Sequence, residues 1–182
     1  MNLERKEMHA TVREGYQILL RADAEYLLPV GRSRLESFYE SLTDTCMKWA
    51  LEVLGERLRS EFLALESLRE KSQFGTRRYR MCTRLVWEEE KYAAFLCESR
   101  LTGQWKEMQK SYHRTAQVWD LEEETLLPQG EILRTFGVKL RQRMLPFRPD
   151  GIYPEGEELV VFRNATDHFP FEEQKLPRNL EI

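Results

Sequence analysis

The sequence predicts an α+β fold. The expected architecture is an antiparallel sheet, a three-strand meander plus N- and C-terminal strands, covered on one face by one long and one short helix. Three observations lead there. From Arg32 to Leu68 the apolar residues Leu35, Phe38, Tyr39, Leu42, Cys46, Trp49, Ala50, Val53, Leu54, Leu58, Phe62 and Leu65 recur at helical spacing and form one stripe. From Arg78 to Trp87 the pattern switches to period two, with Tyr79, Met81, Thr83, Leu85 and Trp87 on one face and Arg78, Arg80, Cys82 and Arg84 on the other. Two further β-type segments follow after short connections, which favour antiparallel neighbours.

The elements follow in order. Residues 11–28 read as extended, with Tyr16, Ile18 and Leu20 alternating with polar neighbours, and Pro29 and Gly31 close the segment. Ser33 is the expected N-cap of the long helix, with Glu36 completing a capping box. Gly55 interrupts the helical pattern and marks a kink or a close helix–sheet contact. Gln73-Phe74-Gly75 ends the helical region. Strand 78–87 turns at Glu88-Glu89-Glu90-Lys91, returns over Tyr92–Leu101, loops through Thr102–Lys110 and continues as Ser111–Leu121. A second helix opens after Pro128, with Ile132, Leu133, Phe136, Leu140 and Met144 inward, and stops at Pro146. Glu158–Arg163 is the last expected strand, and an extended tail follows from Asp167.

The 182 residues suffice for one domain, with a core over residues 12–165. Hydrophobic residues make up 41% and charged residues 32%, which favours a folded chain over a disordered one. Twenty-eight basic against 31 acidic residues give a net charge of -3, so no overall field recruits nucleic acid. No apolar run reaches the length of a membrane span. Met1–Glu7 leads into no signal-type apolar segment, so the expected location is the cytoplasm; the alternative is export, with the signal or anchor outside this sequence. Cys46, Cys82 and Cys97 lack metal-binding spacing and read as reduced thiols.

Chemistry-bearing motifs are few. Phosphate-binding loops, dinucleotide fingerprints, nucleophile elbows and HExxH patterns are all missing from the sequence. No cofactor and no metal are expected. Arg77, Arg78, Arg80 and Arg84 read as a basic ladder on a water-facing sheet surface, balanced by Glu88, Glu89, Glu90 and Glu98 across the hairpin or open to an anionic partner. Aromatics in polar loops are the other candidates: Trp105, Tyr153, Phe169 and Phe171. Loop-borne aromatics serve either as recognition anchors or as pins that hold loops to the core.

Several segments resemble a bacterial α+β domain family of unassigned function. That family forms the extracellular part of lysozyme-sensing anti-sigma factors and is also found attached to a peptidoglycan deacetylase. Asp120-Leu121 followed by Leu126-Leu127 looks like its strand-ending turn and leucine-rich link; Gly151-Ile152 through Leu159–Phe162, with Phe169-Pro170-Phe171 beyond, looks like its final hairpin and aromatic loop. The chain departs from the family where Thr102-Gly103-Gln104-Trp105-Lys106-Glu107 replaces a Gly-Gly-Ala-His turn, and His113 lies too far along to substitute.

The functional expectation is a non-enzymatic binding module. It would recognise a protein or cell-wall-type glycan through the sheet face, with Arg80 and Arg84, and through the loops bearing Trp105, Tyr153, Phe169 and Phe171. The competing expectation is a small hydrolase or transferase using carboxylates such as Glu88, Glu90 and Glu98, and a Cys97–His113 pair is a further variant. Self-association as a homodimer through the sheet is the remaining class.

Overall fold

The structure, a computed structural model, describes residues 1–103, 112–136, 145 and 147–178. The chain divides into two compact units. One comprises Met1–Cys82 and Ser99–Ser111, the other Thr83–Glu98 and Tyr112–Ile182.

The first unit opens with a hairpin of β1 (Leu3–Glu14) and β2 (Gln17–Pro29), turning at Gly15 with φ +54°. A helical run follows: α1 (Ser33–Trp49), a π-helical turn (Ala50–Leu54) and α2 (Gly55–Leu63), then the separate α3 (Leu68–Gln73). The chain then enters β3 (Arg77–Glu89), which pairs in parallel with β2, Leu20 opposite Arg77 through Glu25 opposite Cys82. A parallel pair requires a long crossover, and the helical run supplies it. Leu20, Ala22, Ala24, Tyr26 and Leu28 of β2 and Tyr79 and Met81 of β3 are buried, as are Leu35, Tyr39, Met47, Ala50, Leu54 and Leu58 of the helical run. The alternate residues of the strands are left on the outer face.

The other strands of this six-stranded sheet are β4 (Tyr92–Thr102), β5 (Tyr112–Asp120) and β6 (Thr125–Leu126), in the order β1-β2-β3-β4-β5-β6. The second unit also holds α4 (Gln129–Thr135) and a separate antiparallel sheet of β7 (Gly151–Glu155), β8 (Glu158–Arg163) and β9 (Glu172–Pro177). Its core gathers Leu96, Val118, Ile132, Phe136, Ile152 and Leu159–Phe162. Asn164 clamps β5 from the side: its Oδ1 accepts from Arg114 N at 2.8 Å and its Nδ2 donates to Arg114 O at 2.9 Å. Both amide atoms of the glycosylation-type sequence Asn164-Ala165-Thr166 are thereby engaged, and Asn164 is buried.

The fold class is therefore α+β in the broad sense only, and the expected layout is corrected. The sheet is mixed rather than antiparallel, and it is not a three-strand meander flanked by terminal strands. The C-terminal strands form their own sheet, and β9 occupies much of the expected tail. Among the described residues no single long α-helix is present. The π turn widens the helix where the buried positions run at steps of four, and Trp49 and Val53, counted on the inner stripe, are 48% and 57% exposed. At the capping site, Ser33 is the first helical residue rather than the cap, and the Glu36 carboxylate instead accepts from Gly31 N at 2.6 Å. The capping box belongs to Ser67 and Glu70 at α3. Gly55 marks a close approach: a Cβ there would lie 2.8 Å from Val12 Cγ2 on β1. Leu140, Met144 and Pro146, expected on the second helix, lie outside the described residues.

Candidate functional site

The outer face of β1, β2 and β3 carries an ordered grid of charge, fixed by strand register. Thr11, Arg21 and Arg78 form one row across the three strands, His9, Asp23 and Arg80 the next, and Glu7, Glu25 and Cys82 the third. The last two rows, with Arg78, line a cleft of about 500 Å³. All of its walls belong to the first unit.

Within the cleft the acidic side is internally satisfied. Asp23 Oδ1 lies 2.9 Å from His9 Nδ1, and Glu7 Oε2 lies 3.6 Å from His9 Nε2. The hydrogen bond to Asp23, opposed by partial desolvation and aided by Glu7, raises the His9 pKa above 6.5. Glu7 and Glu25 oppose each other directly, a like-charge pairing that costs stability, and Arg5 bridges them at 3.1 and 3.0 Å. The basic side is looser. Arg78 Nε stands 4.0 Å from Asp23 Oδ2, and Arg80 has no acidic partner among the described residues.

Cys82, His9 and Asp23 all line this cleft, which invites a nucleophile reading. Geometry opposes it. Cys82 and His9 sit two strands apart, roughly 10 Å at about 4.8 Å per strand, well beyond hydrogen-bond reach. Both His9 nitrogens already face carboxylates. The cleft is lined mostly by charged side chains.

The structure disperses the other candidate residues. Arg84 pairs with Glu98 at 3.3 Å in the second unit. Tyr153 is 3% exposed and part of that unit's core, contrary to its reading as a loop anchor; burial, with the Glu173 charge adding to it, pushes its phenol up to about 12. Its position on β7, opposite Val160, explains the burial. Phe171 packs against Tyr112 and Phe162, with ring centroids at 5.4 and 6.3 Å. Phe169 is 50% exposed, and the Arg163 guanidinium lies 4.2 Å from its ring centroid. Trp105 lies outside the described residues. Arg77, assigned to the water-facing ladder, is buried instead, because period two turns it toward the helices; its Nη1 donates to Gly75 O at 2.7 Å. Among the carboxylates offered for acid–base chemistry, Glu98 accepts from Arg114 and Tyr112 and pairs with Arg84. Burial pushes its pKa up, but the Tyr112 hydrogen bond and the arginine charges outweigh burial and hold it below 4.5.

The grouping of His9 with Asp23, Glu7 and Glu25 escaped the sequence reading. The available signal was the alternation of Glu7, His9 and Thr11, a second polar period-two face ahead of the segment read as extended.

No family model matches the chain, and no curated protein matches it. Two solved structures are similar over nearly its whole length. A DUF3298-family protein from Bacteroides fragilis aligns with a TM-score of 0.55 at 9% identity, covering 96% of this chain and 90% of that one. A DUF3298-family protein from Pseudomonas aeruginosa aligns with a TM-score of 0.51 at 13% identity, covering 97% and 89%. At such identities the likeness concerns the fold: the chain is folded like bacterial domains of unknown function of the DUF3298 family.

Proposed function

We propose that this chain is a binding module whose recognition surface is the outer face of β1, β2 and β3, and that its ligand is a charged protein segment. The observation carrying this reading is the cleft itself. It sets Arg80, without an acidic ion-pair partner among the described residues, beside carboxylates already engaged by Arg5 and His9. Such a surface rewards a partner that presents a carboxylate to Arg80. Among the described residues the cleft lining contains no Phe, Tyr or Trp, so a neutral glycan finds no large stacking platform there. The glycan form of the reading rests instead on the exposed ring of Phe169. The resemblance to sensor ectodomains accords with recognition, although fold alone does not transfer a role.

The test is a capture experiment with the native chain and Arg80→Glu, washed in rising salt. Arg80→Glu would set a carboxylate facing Asp23 across the ladder and cost up to about 1 kcal/mol, so Arg80→Gln, which should melt with the native chain, is run beside it. A partner held by the native chain, released by salt and lost with Arg80→Glu supports the assignment. Equal capture by all three proteins removes the cleft as the recognition surface.

A further inference from the structure

We infer that the first unit carries a second site for a small phosphate monoester, centred on Arg21 and on Arg78, which it shares with the larger cleft. The two residues are direct partners across the parallel β2–β3 ladder, and both are exposed on the outer face. Directly opposed like charges destabilise a sheet. The same sheet shows how such a conflict is settled from within: Glu7 opposite Glu25 is bridged by Arg5. Among the described residues the basic pair has no equivalent bridge. Arg21 has no acidic partner among the described residues, and Arg78 meets only Asp23, at 4.0 Å through Nε. The missing counter-charge belongs to a ligand.

An open groove of about 350 Å³ lies at this pair, lined by Arg21, Arg78, Thr76, Thr102 and Gly103. Among the described residues no carboxylate lines it, in a chain whose acidic residues outnumber its basic ones. Gly103 is required in its wall. Its φ is +139°, and a Cβ there would stand 2.5 Å from Arg77 Cδ. Arg77 adds a third positive charge behind that wall, buried and without an ion-pair partner among the described residues. Its Nε is a buried donor lacking a hydrogen bond there.

Two guanidinium forks on strands about 4.8 Å apart can converge on the oxygens of one tetrahedral dianion. The groove is open to solvent and has room for the organic part of an ester beside a phosphate group, which is why the ester is the form proposed. The Thr76 hydroxyl donates to Ile18 O at 2.9 Å and the Thr102 hydroxyl to Arg78 O at 3.4 Å. The longer Thr102 bond leaves that hydroxyl able to re-aim at a polar substituent.

This site does not depend on the protein-binding reading. Arg21 lines only the smaller cavity and Arg80 only the larger cleft. Isothermal titration at fixed ionic strength, with glycerol 3-phosphate, inorganic phosphate and glycerol as probes, separates the two. Glycerol 3-phosphate should bind the native chain, more tightly than inorganic phosphate, and glycerol should not bind. Arg21→Gln should weaken the ester about tenfold or more, the effect of losing a charged hydrogen-bond donor, while Arg80→Gln leaves it unchanged. Arg21→Lys, which keeps the charge but loses the fork, should fall between. Absence of ester binding, or binding indifferent to both Arg21 variants, overturns the site. Inorganic phosphate binding as tightly as the ester overturns the ester assignment.

Discussion

Arg114→Met would remove the centre of the charged network in the second unit. Arg114 reaches Glu98 Oε1 through Nε at 3.0 Å and through Nη2 at 2.9 Å, donates to the Tyr112 hydroxyl at 2.9 Å and pairs with Glu173. Its guanidinium also stands 5.4 Å from the Phe162 ring and 5.1 Å from Phe171. The Arg114 side chain is 12% exposed and that of Glu98 22%. Methionine keeps much of the stem volume but strands Glu98. Breaking a buried pair costs about 3–5 kcal/mol. The lower end applies, because Glu98 keeps Arg84 at 3.3 Å. At about 2–4 °C per kcal/mol for a chain of this size, the melting temperature should fall by about 6–12 °C. The pH dependence follows from sign. The Glu98 carboxyl sits below 4.5 in the folded chain, so its stabilising contribution is present above 4.5 and is lost as the pH falls through the depressed folded value. The variant should therefore lag the native chain most near neutrality, with the gap narrowing in acid. Glu98→Gln added to Arg114→Met should cost less than the sum of the two single changes. Urea unfolding at several pH values reads all of this. A loss below about 1 kcal/mol at neutral pH, or one unchanged in acid, refutes the account.

Two glycine substitutions of identical chemistry should act in opposite directions. Gly151→Ala places a Cβ 2.2 Å from Cζ of the fully buried Phe162 and should cost about 1–3 kcal/mol, whereas Gly130→Ala on α4 meets open space and should gain about 0.4–1 kcal/mol. Shifts of the same sign in thermal melts would contradict the packing described. Ser67→Ala removes the oxygen that accepts from Glu70 N at 3.1 Å, so it should release α3 by about 1 kcal/mol. No residue of α3 is buried, so the change should appear as faster amide exchange over 68–73 with global stability unaltered, and unchanged exchange there would rule it out. Asp23→Asn should return the His9 titration toward 6.5, followed by nuclear magnetic resonance of the ring protons. Because the folded His9 pKa is raised, its contribution to the hairpin is full below 6.5 and is lost as the pH rises through the raised value; an unmoved titration would place the cause elsewhere.

Local chemistry made much of the fold readable, and non-local chemistry hid the rest. Strand β3 was legible because Tyr79, Met81 and Thr83 alternate with Arg78, Arg80 and Cys82 strictly enough to fix both faces. The helical run was legible from its stripe, but its continuity was not: the π turn and the close approach at Gly55 depend on Val12, distant in sequence. Strand β1 was missed because only Val12 among its residues is buried, so its apolar signal is faint and its definition comes from pairing with β2. Tyr153 was misplaced because Pro149-Asp150-Gly151 signals a turn, and only the partner strand β8 shows that a buried strand begins at that glycine.

The sites were hidden for a related reason. A sequence with 28 basic and 31 acidic residues reads as a balanced surface, because opposite charges are assumed to find one another. Register decides whether they do. Had β2 met β3 two residues out of its present register, Asp23 would have stood opposite Arg78. In the observed register Arg21 takes that place, so two guanidiniums face each other while the carboxylates Glu7 and Glu25 face each other across the other ladder. Arg5 resolves only the acidic pair. The unpaired positive charge at the Arg21–Arg78 corner is thus a property of strand alignment rather than of composition, and a charge count along the chain is blind to it.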